Sequence, residues 1–412
     1  MIGSIEIMKL KFREVFRLIL LVTPRLVSAL MSVLVFSTMA HQLSDFHFSM
    51  VQITYSVAVF FLWVADLGSL NLMISERFKK GHEYTQGLWV NRITRIIVMT
   101  IPVGVISYFY PFQKFSFFIF LACVLDSTAD SLIGFRQVAL APRWNYWLQL
   151  GRKATQLLGI ITVWRLQLHL TLSYVFIIIL VPALVALAIE YVSIGHPSWR
   201  PSFRVSNKSV KVWFQSGGTL IASIDLWIIG IHGAYASILY VSLARRVSSA
   251  LGIIGATTSV ETLHEVGKSM YLSGAVKSSI RRAVLITICF AVILISSLRL
   301  WLPVVSGRDP ALSSYLIVAI IVGSIPVGVI TSNLNSIFIG FQKFNYAGFS
   351  TYGSSIVYLS WLTLMPHYIG IVWSIALGTF INLSTELLIQ TLLFKKNNGF
   401  TQSKLQHRGE KL

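Results

Sequence analysis

Nine charged side chains stand inside stretches that are otherwise apolar, and they are the residues able to do chemistry. Asp126 and Asp130 lie four apart in the run CVLDSTADSLIGF. On a helix that spacing stacks them on one face with Cys123, Ser127 and Gly134, opposite Leu121, Val124, Leu125 and Leu132. Two ionised carboxylates so close repel, so they need a proton, a metal cation or a neighbouring Arg or Lys. The first two options make a relay for an ion gradient, and the third makes a fixed structural pair. Glu386, with Asn382 and Thr385 near it, is a further relay candidate.

The basic members suit anion binding. Asp225 and the pair Arg245 and Arg246 sit in Gln215–Arg246, which reads as two apolar helices joined by a turn at His232–Gly233–Ala234. A charge at mid-bilayer costs about 2.5–3.5 kcal/mol on an insertion scale, so such residues face a wet cavity or one another. Ser242, Arg245 and Ser249 share one helix face. Asp225 is the expected partner of Arg245 or Arg246. Arg25, after Pro24, is open to two readings, snorkelling to the headgroups or binding an anion. For Arg152 and Lys153, at the entry of a predicted helix, the same choice leans to the interface.

The elements that carry these residues follow from composition. The 412 residues are 55% hydrophobic and only 12% charged, against about 25% charged in soluble domains. The expectation is an all-α polytopic membrane protein. About twelve apolar stretches approach the roughly 20 residues that a spanning helix needs: 18–39, 50–74, 93–111, 115–135, 147–165, 172–194, 212–231, 236–258, 283–302, 314–340, 346–365 and 368–393. With the N-terminus inside, four Lys/Arg fall in external segments (Lys114, Arg165, Arg299 and Arg308), five lie within helices, and the other 25 of the 34 are cytoplasmic. That asymmetry places both termini in the cytoplasm. The net charge of +19 thus reads as an orientation signal, and no nucleic-acid partner is expected.

The basic, proline-bearing stretch 196–211 reads as a cytoplasmic linker. It separates an N-lobe of six helices, 1–195, from a C-lobe of six, 212–394, with a basic cytoplasmic tail at 395–412. Ile133-Gly134-Phe135-Arg136-Gln137 and Ile339-Gly340-Phe341-Gln342-Lys343 stand six predicted helices apart. That is the spacing of a parallel repeat, two lobes related by a pseudo-two-fold along the membrane normal. Cys123 and Cys289 lie within apolar runs and offer no disulfide or metal spacing. No phosphate loop, metal-ligand cluster or nucleophile–base arrangement stands out, so no enzyme, catalytic residue, cofactor or metal is expected.

Several short motifs carry a family resemblance: Ala65-Asp66-Leu67-Gly68, Gly134-Phe135-Arg136, Asp225 with Gly230, Gly233, Tyr235, Tyr240 and Arg245, Ile339-Gly340-Phe341, and Pro366-His367-Tyr368-Ile369-Gly370. Together they resemble Wzx-type oligosaccharide and O-antigen flippases, the polysaccharide transporters of the multidrug/oligosaccharidyl-lipid/polysaccharide exporter superfamily. The pair Arg152-Lys153 departs from that pattern. The resemblance implies a multi-pass protein of the bacterial inner membrane. It would flip polyprenyl-diphosphate-linked oligosaccharide by alternating access for O-antigen, capsule or other surface polysaccharide. Its partners would be the lipid-linked oligosaccharide, membrane lipids, a coupling proton or sodium ion, and a polysaccharide polymerase and chain-length proteins. Arg25, Arg152, Lys153, Asp225, Arg245 and Arg246 would bind substrate; Asp126, Asp130 and Glu386 would couple ions. The alternatives are a cation-coupled drug or small-molecule antiporter of the same superfamily, and a membrane polymerase or acyltransferase. Cavity bases disfavour the antiporter and short external loops disfavour the enzyme.

Overall fold

A computed structural model describes residues 26–67, 69, 86–103, 114–139, 142–193, 210, 213, 225–230, 232, 234–269, 273–341 and 343–396. Every regular element among them is an α-helix, and the chain divides into two compact units, Met1–Val205 and Ser206–Leu412. Six helical stretches of the described residues are long and apolar enough to cross a bilayer.

The first unit contains α1 (Leu26–Gln42), α2 (Asp45–Asp66), α3 (86–103), α4 (Lys114–Ala139), α5 (Pro142–Arg165) and α6 (Leu172–Ser193). The start of α2 is written locally. The Ser44 hydroxyl accepts from the His47 N–H at 3.3 Å, and Asp45 puts a negative charge on the first turn, both favourable at a helix N-terminus. Helix α4 packs against α2, α5 and α6, which buries its Ile119–Val124 stretch around Ala122 and Cys123. Gly159 lets α5 approach Ile178 of α6, where an added Cβ would sit 3.1 Å from its Cγ1.

The second unit contains the short helical segment 225–230, α7 (Tyr235–Ser269), α8 (Gly274–Ser296), α9 (Leu298–Ser306), α10 (Leu312–Gly323), α11 (Ile325–Gly340), α12 (Phe344–Leu364), the single turn α13 (Pro366–Ile369) and α14 (Ile371–Lys396). Helix α7 crosses α11 closely. At Gly255 a Cβ would come within 2.7 Å of Val329 Cγ2, and the seam is fixed by Ser259 against Ser332 at 2.9 Å and Thr262 donating to Asn333 at 3.2 Å. Small residues that admit a close backbone, with hydroxyls bonding across, are how helices associate where lipid removes the hydrophobic incentive. Gly370 has φ +80°, a backbone conformation open to glycine. It lets the chain leave α13 and restart as α14.

The outer faces need lipid. On α8, Val292 and Ile293 are more than half exposed, as are Val185 and Ile177 on α6. In water such apolar surface would be a liability.

Four expectations change. The predicted loop Ser259–Arg282 is mostly helix: α7 runs on to Ser269, and α8 starts at Gly274, where Ser273 caps the Val276 N–H at 3.2 Å. At 1.5 Å per residue, α7 is roughly 50 Å long against an apolar thickness of ~30 Å, so polar residues join it without lying in lipid. The predicted span 283–302 breaks at Ser297, and the span 314–340 breaks at Ser324. At the second break Pro326 cannot donate to the preceding turn, and the Ser324 hydroxyl bonds back to the Ile321 carbonyl at 2.7 Å. Finally, Arg92 and Arg95, assigned to a cytoplasmic loop and its edge, lie inside α3 and are buried.

Candidate functional site

The second unit places its buried charges beside a cavity. Asp225 is 0% exposed, which is sustainable for a carboxylate only with full pairing. Three donors supply it. Arg245 Nη1 donates to Oδ1 at 2.7 Å, Arg245 Nη2 pairs with Oδ2, and the Tyr358 hydroxyl donates to Oδ2 at 2.7 Å. Of the two arginines, Arg245 is therefore the one that engages Asp225, and Arg246 is half-buried on the same helix. Tyr358 reaches the site from α12 because α14 yields room. A Cβ on Gly378 would meet Tyr358 Cε2 at 2.7 Å. The neighbouring Trp361 Nε1 ties α12 to the Ser374 carbonyl at 3.0 Å.

The Arg245 side chain remains 26% exposed, and it opens into a cavity of about 480 Å³ within this unit. Around it stand Ser248, Ser249 and Gly252 of α7, Ser324 and Ser332 toward α11, and Thr379 and Asn382 of α14. Arg245 is the one charged side chain among the described lining residues. A guanidinium has five N–H donors in a planar fork. With two nitrogens turned to Asp225, it still presents N–H groups to an anion.

Glu386 lies further along α14 and is buried. Its Oε1 accepts from Asn335 Nδ2 at 2.8 Å and from Gln390 Nε2 at 3.2 Å.

The first unit holds two charge clusters. Asp126 is buried under two cations: Arg152 Nη1 lies 3.3 Å from Oδ1 and Lys153 Nζ 3.2 Å from Oδ2. Gln156 donates to Oδ1 at 2.9 Å, and Arg152 also donates to the Asp126 carbonyl at 2.6 Å. Residues 152, 153 and 156 share one side of α5 by helical spacing. Arg152 and Lys153 are thus buried against Asp126, not extended to an interface; a carboxylate on the facing helix gives them a better partner than headgroups do. The second cluster joins α2 to α3. Arg92 Nε meets Asp66 Oδ1 at 2.6 Å. Arg95 donates to the Asp66 carbonyl at 3.2 Å and to the Ser69 hydroxyl, so a cation satisfies one carbonyl at the end of α2, where the dipole favours it.

Sequence reasoning missed Arg92, Arg95, Gln156, Tyr358, Asn335 and Gln390. The two arginines had a signal: they stand three apart in LWVNRITRIIVMT, on one face of an apolar run. Tyr358, in SSIVYLSW, had none. Arg25 lies outside the described residues, as does the side chain of Asp130. Among the described residues no group of three or more His, Cys, Asp or Glu could hold a metal ion.

No protein-family model and no curated protein matches the sequence. Its fold does have solved counterparts. The chain superposes over 92% of its length on 87% of the lipid II flippase MurJ in an inward closed conformation, with TM-score 0.67 and 14% identity. An inward-facing MATE family multidrug resistance transporter of the MOP superfamily matches 90% of this chain over 95% of its own, at TM-score 0.61 and 12% identity. A MOP superfamily transporter from Pyrococcus furiosus, described with a binding pocket of reverse polarity, matches 92% over 95%, at 0.55 and 11%. The chain therefore has the all-helical fold of MOP superfamily transporters.

Proposed function

We propose that this protein is a flippase for polyprenyl-diphosphate-linked oligosaccharide in a bacterial inner membrane, working by alternating access with both termini in the cytoplasm. The observation that carries the reading is Arg245, a cation oriented by Asp225 and Tyr358 on the wall of a cavity whose other described lining residues are neutral. Each sugar hydroxyl costs about 4–8 kcal/mol to move into an alkane-like phase unpartnered, so a sugar head group crosses only through a hydroxyl- and amide-lined space. The diphosphate is an anion suited to a guanidinium fork. Its outward movement is assisted by an inside-negative potential, at about 2.3 kcal/mol per charge per 100 mV. The surface polysaccharide it serves would place a polymerase and chain-length proteins downstream. The fold likeness to the flippase MurJ is compatible with this reading, and the likeness to MATE transporters keeps a drug antiporter as its competitor. An antiporter for cationic drugs would want acidic walls, and Arg245 argues against it.

The test is flipping by the purified protein in vesicles, using a labelled polyprenyl-diphosphate oligosaccharide. Arg245→Lys, which keeps a cation beside buried Asp225 and removes the guanidinium fork, should lower the rate per folded molecule at least tenfold. Efflux of cationic dyes by the wild type, with no flipping of the oligosaccharide, would replace this reading with the antiporter.

A further inference from the structure

Helix α8 meets its neighbours along one narrow stripe. Its buried residues are Val276, Ala283, Thr287 and Ala291, spaced so that they share one face. The helix packs against α7, α10 and α11. The rest of its surface is open and divides by height. Lys277, Arg281 and Arg282 are exposed in the first turns. Leu285, Ile286, Ile288, Val292 and Ile293 are exposed beyond them, and no charged residue occurs from Ala283 to Ser296.

The 3.6-residue repeat sets Ile288 and Val292 in line with Lys277 and Arg281, and Ile286, Cys289 and Ile293 in line with Arg282. Two basic heads thus each stand over an aliphatic stripe. Arg281 to Ile293 spans about 18 Å of helix at 1.5 Å per residue, slightly more than half of a bilayer's ~30 Å apolar core.

The protein does not neutralise these cations. Among the described residues Lys277 and Arg281 have no hydrogen-bond or carboxylate partner, and Arg282 donates only to the Ser278 hydroxyl, at 3.1 Å. That bond turns Arg282 toward the Gly274 end of the helix, away from the apolar stretch. No ion pair joins any of the three to Glu265, exposed near the end of α7 across the turn. Arg245, Arg152 and Lys153, by contrast, have Asp225 or Asp126.

We propose that this face of α8 binds an anionic phospholipid with two phosphates, one against Lys277 and Arg281 and the other against Arg282, its acyl chains lying along the two stripes. A guanidinium pairs with phosphate oxygens through parallel N–H bonds, and basic clusters at the edge of the apolar core hold such headgroups. A zwitterionic headgroup carries its own cation and gains less. A lipid with one phosphate satisfies one head and one stripe at a time. Binding needs neither oligosaccharide nor a coupling ion, so the site stands apart from the flippase reading.

The experiment uses the purified full-length protein in detergent, without any lipid-linked sugar. Cardiolipin, phosphatidylglycerol and phosphatidylethanolamine are added at equal phosphate, and retained lipid is read by native mass spectrometry beside thermal unfolding. Cardiolipin should be retained at one per chain and raise the unfolding midpoint by a few degrees. Phosphatidylglycerol should bind at least tenfold more weakly, and phosphatidylethanolamine should not be retained. Arg281→Gln with Arg282→Gln changes exposed positions only, and should weaken cardiolipin binding at least tenfold. A variant that loses the same charge elsewhere, Arg165→Gln with Arg299→Gln, should bind as the wild type does. Cardiolipin retained equally by the Arg281/Arg282 variant overturns the site, as does equal loss in the Arg165/Arg299 variant. Equal retention of cardiolipin and phosphatidylglycerol overturns it in favour of an unselective basic patch. None of these outcomes bears on whether the protein flips oligosaccharide.

Discussion

At the residue scale, the buried charges sort by what neutralises them. Asp126 is enclosed by Arg152, Lys153 and Gln156, so a coupling proton or sodium would have to displace two fixed cations. Removing one partner of a buried pair costs about 3–5 kcal/mol, because the survivor is left unpaired. Asp126→Asn should therefore fail through folding, with two cations stranded together. The check is the monodisperse fraction on gel filtration in detergent, measured beside gradient-driven flipping. A well-folded Asp126→Asn protein that loses only its response to a gradient would return Asp126 to the coupling role.

At the element scale, positions without chemistry of their own hold the site. Gly378 on α14 leaves the space that Tyr358 of α12 occupies, and Tyr358 in turn completes the shell of Asp225. Tyr358→Phe removes one hydrogen bond to a charged group, worth about 1.5–3 kcal/mol. Gly378→Ala pushes the ring away and loses the same bond. The two effects on stability should be strongly non-additive in a double-mutant cycle; simple addition would mean that Gly378 serves packing alone. Helix α7 supplies a second prediction. It outruns the bilayer's apolar core, and Glu265 near its end is exposed. Glu265→Cys, with Cys289 replaced, should react with a membrane-impermeant maleimide, while Ala291→Cys within α8 should not. Protection at both positions would place the end of α7 within lipid.

At the scale of the whole molecule, the proposed topology sets three membrane crossings between Arg308 and the end of α14: the broken α10–α11 pair, α12, and α14. An odd number puts the two points on opposite sides. Reporter fusions at Arg308 and after Lys396 should accordingly report external and cytoplasmic locations, and agreement between them would break the topology. A cytoplasmic location after Lys396, as proposed, would bring the basic sequence 395–412 to the anionic inner leaflet, where each Lys or Arg near the surface contributes about 1 kcal/mol.

The sequence by itself determined the all-helical membrane class, because the apolar runs match what a bilayer demands and few soluble chains carry so little charge. It also marked Asp225 as the partner of Arg245 or Arg246, since a short helical hairpin puts them near one another, and the structure selects Arg245. Periodicity could not place the helix ends within polar sequence. The residues after Ser259 read as loop because hydropathy measures lipid contact, and α7 continues beyond the lipid. Nor could it choose partners distant in sequence. Arg152 and Lys153 read as interfacial until α4 and α5 were packed together, which put Asp126 within 3.3 Å of both. Tyr358, 133 residues from Asp225, had no local pattern at all. Glu386 differs from the two aspartates in its surroundings, and only the packing of α11 on α14 surrounds it with amides instead of cations.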